Sequence, residues 1–139
     1  MIRAVFDTNI LVSARLSLTG NPARCLGLAQ LRQIESITCA AILDEFTEKL
    51  ISKFDYESLH AIEAAEQIRK ISRLVELGSM PRVVPDDPDD DTIIQCALVG
   101  GASHIVSGDK HLLVLKSHKD ILIVRPAEFL SLVAAANFD

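Results

Sequence analysis

The sequence predicts an α/β protein, a three-layer α/β/α sandwich with a mostly parallel central sheet, in a single domain over residues 1–139. Its length of 139 residues suits one compact domain. Strand-like and helix-like segments alternate along the chain, and no Asn-Gly or Asp-Gly turn joins two strand-like runs. The composition, 49% apolar and 24% charged, is typical of a folded domain and not of a disordered chain.

The first half of the chain begins with a β-branched and aromatic run that predicts a buried strand. Asn21 and Pro22 predict a helix start, because Asn caps helices and Pro suits the first helical position. Gly78 predicts the end of a long helix. The predicted elements are, in order, a strand at 2–6, a helix around 10–14, a helix at 21–32, a strand at 36–39, an amphipathic helix at 40–51 and a long helix at 56–77.

The second half continues the alternation with shorter elements. Gly100 and Gly101 predict the end of one helix, and Pro126 predicts the start of another. The predicted elements are a strand at 83–84, a helix at 93–99, a strand at 105–106, a short helix at 111–115, a strand at 121–124 and a helix at 126–136.

Composition and charge argue against several classes of function. The net charge of −5 opposes binding of nucleic acid by bulk electrostatics, and six aromatic residues without Trp offer no platform for base stacking. Cys25, Cys39 and Cys96 form no CxxC pair, so we expect buried reduced thiols and no zinc site. The first residues are too polar for a secretory signal, and no run approaches ~18 apolar residues, so we expect a cytoplasmic protein with no membrane span.

Acidic residues follow the predicted strands. Asp7 comes after the first strand, and Asp109 comes after the strand at 105–106. Five aspartates occupy the six positions 86–91, ahead of a predicted helix, and Glu45 lies in the helix after the second strand. Because ligands of open parallel sheets bind at the carboxyl ends of the strands, we expect these carboxylates to lie at one edge.

Several carboxylates in one cleft repel each other, and a hard divalent cation with oxygen ligands, Mg²⁺ or Mn²⁺, is the natural compensation. Each acid also has a simpler explanation. Asp7 could close an Asx-turn, and Asp109 could cap the helix that follows it. Asp90 or Asp91 could cap the helix after the acidic run, and Glu45 could pair with Lys49 on a solvated helix face. The joint arrangement favours the metal site, because separate caps need not point to one edge.

Four segments carry a family resemblance: VFDTNILVSA, ILDEF, DPDDDTIIQCAL and ASHIVSGDKHLL. Their ordered set resembles the PIN-domain ribonucleases, and within them the short proteins that serve as toxin components of toxin–antitoxin modules. The resemblance implies a PIN-like fold and metal-dependent endonucleolytic cleavage of single-stranded RNA. It also implies a homodimer and an antitoxin partner, neither of which the residues themselves indicate.

The resemblance assigns roles to individual positions. It implies catalytic roles for Asp7, Glu45, Asp90 and Asp109, and metal binding by these four together with Asp91. Counting back from the SGDK segment makes Asp90 the preferred third acid of the family pattern, and allowing one gap makes it Asp91 instead. The supporting polar residues that it implies are Thr8, Asn9 and Ser107, the last standing where the family usually has Thr.

Other interpretations remain open on sequence alone. Arg15, Lys53 and Lys110 are candidates for RNA backbone contacts, although each could be an ordinary surface charge. A catalytically inactive PIN-like module would bind RNA or a partner without turnover. A haloacid-dehalogenase-type phosphohydrolase also begins with a strand and an aspartate, but its DxD motif has Asn9 here and its late GDxxxD motif has Leu113.

Overall fold

A computed structural model describes residues 1–78 and 88–137, with the side chains of residues 88–90 outside the description. Helices and strands alternate through most of these residues, as the sequence predicts. The elements are β1 (Arg3–Phe6), α1 (Thr8–Leu16), α2 (Asn21–Gln30), β2 (Glu35–Cys39), α3 (Ala40–Phe54), α4 (Ser58–Lys70), β3 (Ser72–Val75), α5 (Pro88–Gly100), β4 (His104–Val106), α6 (Lys110–Leu113), β5 (Ser117–His118), β6 (Ile121–Val124) and α7 (Pro126–Ala136).

The strands form one six-stranded sheet in the order β3-β2-β1-β4-β6-β5. All neighbouring pairs are parallel except β5 with β6. Helices flank this sheet, so the predicted three-layer α/β/α sandwich is confirmed. The chain places β2 and β3 on one side of β1 and β4 on the other. The strand order therefore reverses between β1 and β4, where parallel sheets open a crevice for ligands.

The core contains both faces of the central strands. Val5, Ile37 and Ile105 lie in register on β1, β2 and β4, and all three are fully buried. Helix α5 packs on this row so closely that a Cβ atom on Gly100 would lie 2.6 Å from Cγ2 of Ile37. On the other face, the Phe6 ring packs edge-on against Phe129 of α7, with the ring centroids 6.0 Å apart.

The predicted long helix at 56–77 is wrong in its second half. Helix α4 ends at Lys70, and Ser72–Val75 form the edge strand β3. Tertiary pairing decides this, because β3 lies parallel to β2 and the Ser36 and Ser72 hydroxyls are 2.8 Å apart. The guanidinium of Arg73 also reaches across the pair, donating to Glu35 at 2.9 Å. Ile71, Leu74 and Val75 fit a helical stripe and a strand equally well, so their periodicity was ambiguous.

Two further elements differ from the prediction, and one predicted strand cannot be compared with the structure. Helix α5 begins at Pro88 instead of residue 93, so the last aspartates of the acidic run belong to its first turn and not to a preceding turn. The two-residue strand β5 was not predicted, since it is too short to leave a sequence signal. The predicted strand at 83–84 lies outside the described residues. None of the helices in the described part of the chain is long and apolar enough to cross a membrane.

Candidate active site

The first component of the site joins the ends of β1 and β4. Asp7 follows β1, and its amide donates a hydrogen bond to the carbonyl of Val106 at 2.9 Å. Ser107 follows β4, is fully buried, and donates its hydroxyl to Oδ2 of Asp7 at 2.7 Å. The same hydroxyl oxygen accepts the amide of Asp109 at 2.9 Å. One serine thus positions two of the predicted acids, and the substitution of Ser for Thr keeps the hydroxyl that does so.

Asp7 occupies the N-cap position of α1, yet its side chain makes no capping hydrogen bond. The residue is only 6% exposed, and burial is the main cause that raises the pKa of its carboxyl group. The Ser107 hydroxyl and the backbone amide of Asn9 lower that pKa. The negative charges of Asp109 and Glu45 raise it.

Glu45 joins the site from α3. Its Oε2 accepts a hydrogen bond from the buried Thr8 hydroxyl at 3.1 Å. Its Oε1 lies 2.9 Å from Nζ of Lys49, one helical turn further along. The same ammonium donates to Oδ1 of Asn9 at 2.9 Å. Thr8 and Asn9 therefore connect the start of α1 to Glu45 and Lys49 of α3.

Asp109 has two roles at the start of α6. It is the N-cap of that helix, and its Oδ1 accepts the amide of His111 at 2.8 Å. The imidazole of His111 lies 3.6 Å from the same oxygen, which makes an ion pair only when the ring is protonated. Asp109 also acts electrostatically on Asp7. Capping and membership of the acidic cluster are thus compatible for this residue.

The aspartates of α5 are described only in part. Asp91 is 4% exposed, and its Oδ2 accepts the side-chain amide of Gln95 at 2.7 Å. Asp91 is the fourth residue of α5, so it is not the cap of this helix. The side chain of Asp90 lies outside the description, as do those of the other acids at 86–89. The choice between Asp90 and Asp91 as the third acid stays a prediction.

The donor chemistry of the cluster fits a hard divalent cation. Carboxylate and hydroxyl oxygens are the ligands that Mg²⁺ and Mn²⁺ prefer, and the negative neighbours of Asp7 would be neutralised by such an ion. Within the described residues, no group of three His, Cys, Asp or Glu side chains is yet close enough to hold a metal.

The predicted RNA-contacting cations differ in position. Arg15 lies in the last turn of α1, where its guanidinium donates to Gln67 at 3.2 Å and lies over the ring of Tyr56. Lys53 is exposed near the end of α3, and Lys110 is exposed beside Asp109. A fourth cation, Lys49, is predicted from the sequence only as a surface partner of Glu45, on the basis of their i,i+4 spacing. Its contact with Asn9 has no sequence signal, because the two residues are 40 positions apart.

Comparison with known proteins gives one family. The family model described as "PIN domain" matches residues 3–111, which include every element from β1 to the start of α6. No curated protein matches the sequence. Since the match covers most of the chain and includes Asp7, Glu45 and Asp109, the chain belongs to the PIN-domain family, whose members are generally nucleases that use divalent metal ions.

Proposed function

We propose that this protein is an endoribonuclease that cleaves single-stranded RNA with the help of Mg²⁺ or Mn²⁺. The observation that carries the proposal is the junction at the switch point of the sheet. There Ser107 holds Oδ2 of Asp7, and the charges of Asp109 and Glu45 act on the same carboxyl group. Acids from three distant parts of the chain thus act on one another at this crevice. Their mutual repulsion destabilises the fold, and helix capping alone would not require it, whereas a cation site would.

The residues of the cluster divide into ligands and supports. Asp7, Glu45, Asp109 and one of Asp90 and Asp91 would hold the cation. Ser107 and Thr8 fix two of these acids through hydrogen bonds of 2.7 and 3.1 Å. A bound divalent cation supplies positive charge against the phosphate oxygens and lowers the pKa of a water molecule. The buried Asp7 carboxylate, fixed by Ser107, would hold that cation in one position.

RNA fits the site better than a small acidic substrate, because a polyanion can bind several cations at once. The net charge of −5 would repel RNA from the bare protein, so binding should depend on the divalent ion. Lys110 is exposed and follows Asp109 directly in the sequence, so among the predicted contacts to the RNA backbone it lies nearest to an acid along the chain. Arg15 already has two protein partners and is the weakest of the three candidates.

The test is cleavage of a labelled single-stranded RNA in Mn²⁺ or Mg²⁺, with EDTA as the metal-free arm. We expect Asp7→Asn to abolish cleavage. Asp44→Asn is the matched control, because it removes the same charge from an exposed residue of α3 next to Glu45. Cleavage that survives EDTA, or that Asp7→Asn leaves unchanged, would refute the proposal.

A catalytically inactive RNA-binding module is the second candidate. The ammonium of Lys49 already neutralises Oε1 of Glu45, and such an arrangement would keep the fold stable without a metal. Binding of the same RNA without cleavage, in both the wild type and Asp7→Asn, would favour this alternative. Release of phosphate from a phosphomonoester would instead support the haloacid-dehalogenase-type reaction.

The proposal extends to a toxin that an antitoxin neutralises, and to a homodimer. The resemblance is the main support, and exposed apolar side chains such as Leu18 and Ile62 offer surface for such contacts. Expression of the wild type should inhibit growth, Asp7→Asn should not, and co-expression of a neighbouring small gene should relieve the inhibition. Light scattering on the purified protein tests the dimer separately.

A further inference from the structure

Two of the three cysteines face each other between helix α5 and strand β2. Cys39 ends β2 and Cys96 lies in α5, and both are buried. Helix α5 crosses from β3 to β4 over a parallel sheet, so it runs opposite to β2. Gly100 of α5 lies on Ile37 of β2, as the 2.6 Å approach of its Cβ position shows.

The register of these two elements brings the thiols together. Cys96 is one helical turn before Gly100, which is about 6 Å along the helix axis. Cys39 is two residues after Ile37 on the same face of the strand, which is about 6.6 Å in the same direction. This register places the side chains of Cys39 and Cys96 opposite each other, and the Cys96 side chain interacts with the Cys39 thiol.

The environment of Cys39 favours its thiolate. The pKa of Cys39 is lowered to about 7, chiefly by interaction with the Cys96 side chain and against the opposing effect of burial. The amides of Ile42 and Ala41 contribute to this lowering, because Cys39 is the N-cap of α3. The pKa of Cys96 is raised, so this thiol keeps its proton. A thiolate beside a protonated thiol is the arrangement that disulfide formation requires.

We propose that Cys39 and Cys96 form a peroxide-sensitive dithiol site that closes to a disulfide between β2 and α5. The Cys39 thiolate attacks one oxygen of hydrogen peroxide, the O–O bond breaks, and a sulfenic acid and hydroxide form. The Cys96 sulfur then attacks the Cys39 sulfur and loses its proton, while the S–O bond breaks and water leaves. Two thiols and one peroxide thus give one disulfide and two waters.

Burial selects the class of oxidant. Cys39 is 2% exposed and Cys96 is fully buried, so oxidised glutathione cannot reach either sulfur in the folded protein. Hydrogen peroxide is small and neutral and is the oxidant class that the site would admit. The disulfide would tether α5, which carries Asp91, to the strand that leads into α3, which carries Glu45. The inference rests on packing and does not depend on the nuclease proposal.

Cys25 is a matched control within the same chain. It is fully buried, its thiol lies 3.5 Å from the carbonyl oxygen of Pro126, and burial raises its pKa to about 12. It faces neither of the other cysteines and should stay reduced. Each of the three cysteines falls in a different tryptic peptide, so a link between any two of them can be identified directly.

The experiment exposes the folded full-length protein to hydrogen peroxide, blocks thiols with N-ethylmaleimide in denaturant, and maps unreduced tryptic peptides by mass. We expect one blocked thiol, on Cys25, and a Cys39–Cys96 cross-link that has lost two hydrogens. Cys25→Ser should keep the link, and Cys96→Ala should abolish it while circular dichroism shows a folded protein. Peptide mapping of the wild type decides the outcome even if a variant fails to fold.

Three results would overturn the inference. The first is three blocked thiols in the folded wild type, at peroxide concentrations that oxidise the denatured chain. The second is a cross-link that includes Cys25. The third is irreversible oxidation of Cys39 without a link to Cys96. A link that forms in the folded protein should also raise its melting temperature relative to the reduced form, since it joins distant parts of the chain.

Discussion

At the scale of single residues, Asp7 lowers the stability of the metal-free fold. Its carboxyl group is buried and faces two negative neighbours, so its pKa is raised above the ordinary value of 3.8. Ionised Asp7 therefore destabilises the metal-free fold at neutral pH. This cost is lost as pH falls through the raised pKa, because the folded state then binds the proton more readily than the unfolded state does.

Asp7→Asn should therefore stabilise the metal-free protein at pH 7 while it abolishes activity. We expect a melting temperature higher by about 2–5 °C, which corresponds to about 1 kcal/mol in a chain of this size. The advantage of the variant should shrink as pH is lowered and vanish below pH 3.8, the unfolded value. Thermal unfolding of both proteins from below pH 3.8 up to pH 8 checks this, and a variant that is less stable at pH 7 would contradict it.

Lys49 has the opposite effect on the same cluster. Its ammonium bridges Glu45 and Asn9 at 2.9 Å each, and the Lys49 and Glu45 side chains are only 22% and 21% exposed. Lys49→Met should lower the free energy of unfolding of the metal-free protein by about 0.5–1 kcal/mol, with a smaller loss in high salt. Urea denaturation measures the difference.

The control for Lys49 is an exposed ion pair on another helix. Arg69 and Glu66 lie 3.4 Å apart on α4, with side chains 56% and 49% exposed. Arg69→Met should change stability by much less, because water and salt screen this pair. Equal effects of the two substitutions would show that Lys49 has no special role in the acidic cluster.

At the scale of elements, the contact between α5 and β2 places the helix that carries Asp91. A Cβ atom at Gly100 would lie 2.6 Å from Cγ2 and 3.1 Å from Cδ1 of Ile37, which is fully buried and β-branched. Gly100→Ala should therefore destabilise the protein by about 1–3 kcal/mol, as overpacking of a core does.

Gly27 provides the opposite expectation within a helix. It lies inside α2, and a Cβ atom there would meet nothing within 4 Å. Gly27→Ala should stabilise the protein by up to about 1 kcal/mol, because Ala favours the helix. Chemical denaturation compares the two variants. A neutral Gly100→Ala would mean that α5 can move away from β2 without cost.

At the scale of the whole molecule, metal binding should couple to folding. A cation that binds only the folded state stabilises it by about 2.7 kcal/mol at a concentration 100 times its dissociation constant. Added Mn²⁺ should raise the melting temperature of the wild type and of Asp44→Asn, but not that of Asp7→Asn. The same shift in all three proteins would place the bound ion away from the Asp7 cluster.

The sequence by itself determined the layer architecture, most of the element order and the positions of the acids after the strands. These depend on local patterns: apolar periodicity, Asn-Pro and Gly signals at helix ends, and charged residues where strands stop. The same patterns gave the wrong element at residues 71–77. The apolar residues there fit both an edge strand and one face of a helix, and only the pairing of β3 with β2 decides for the strand.

Only the tertiary structure decided which acids meet and what holds them. Ser107 and Asp7 are 100 residues apart, and their hydrogen bond exists because β1 and β4 are neighbours in the sheet. The Thr8–Glu45 and Lys49–Asn9 contacts and the facing of Cys39 and Cys96 arise in the same way. Local sequence fixes the conformation of most segments, but the strand at Ser72–Val75 and the contacts between segments depend on how the sheet orders its strands.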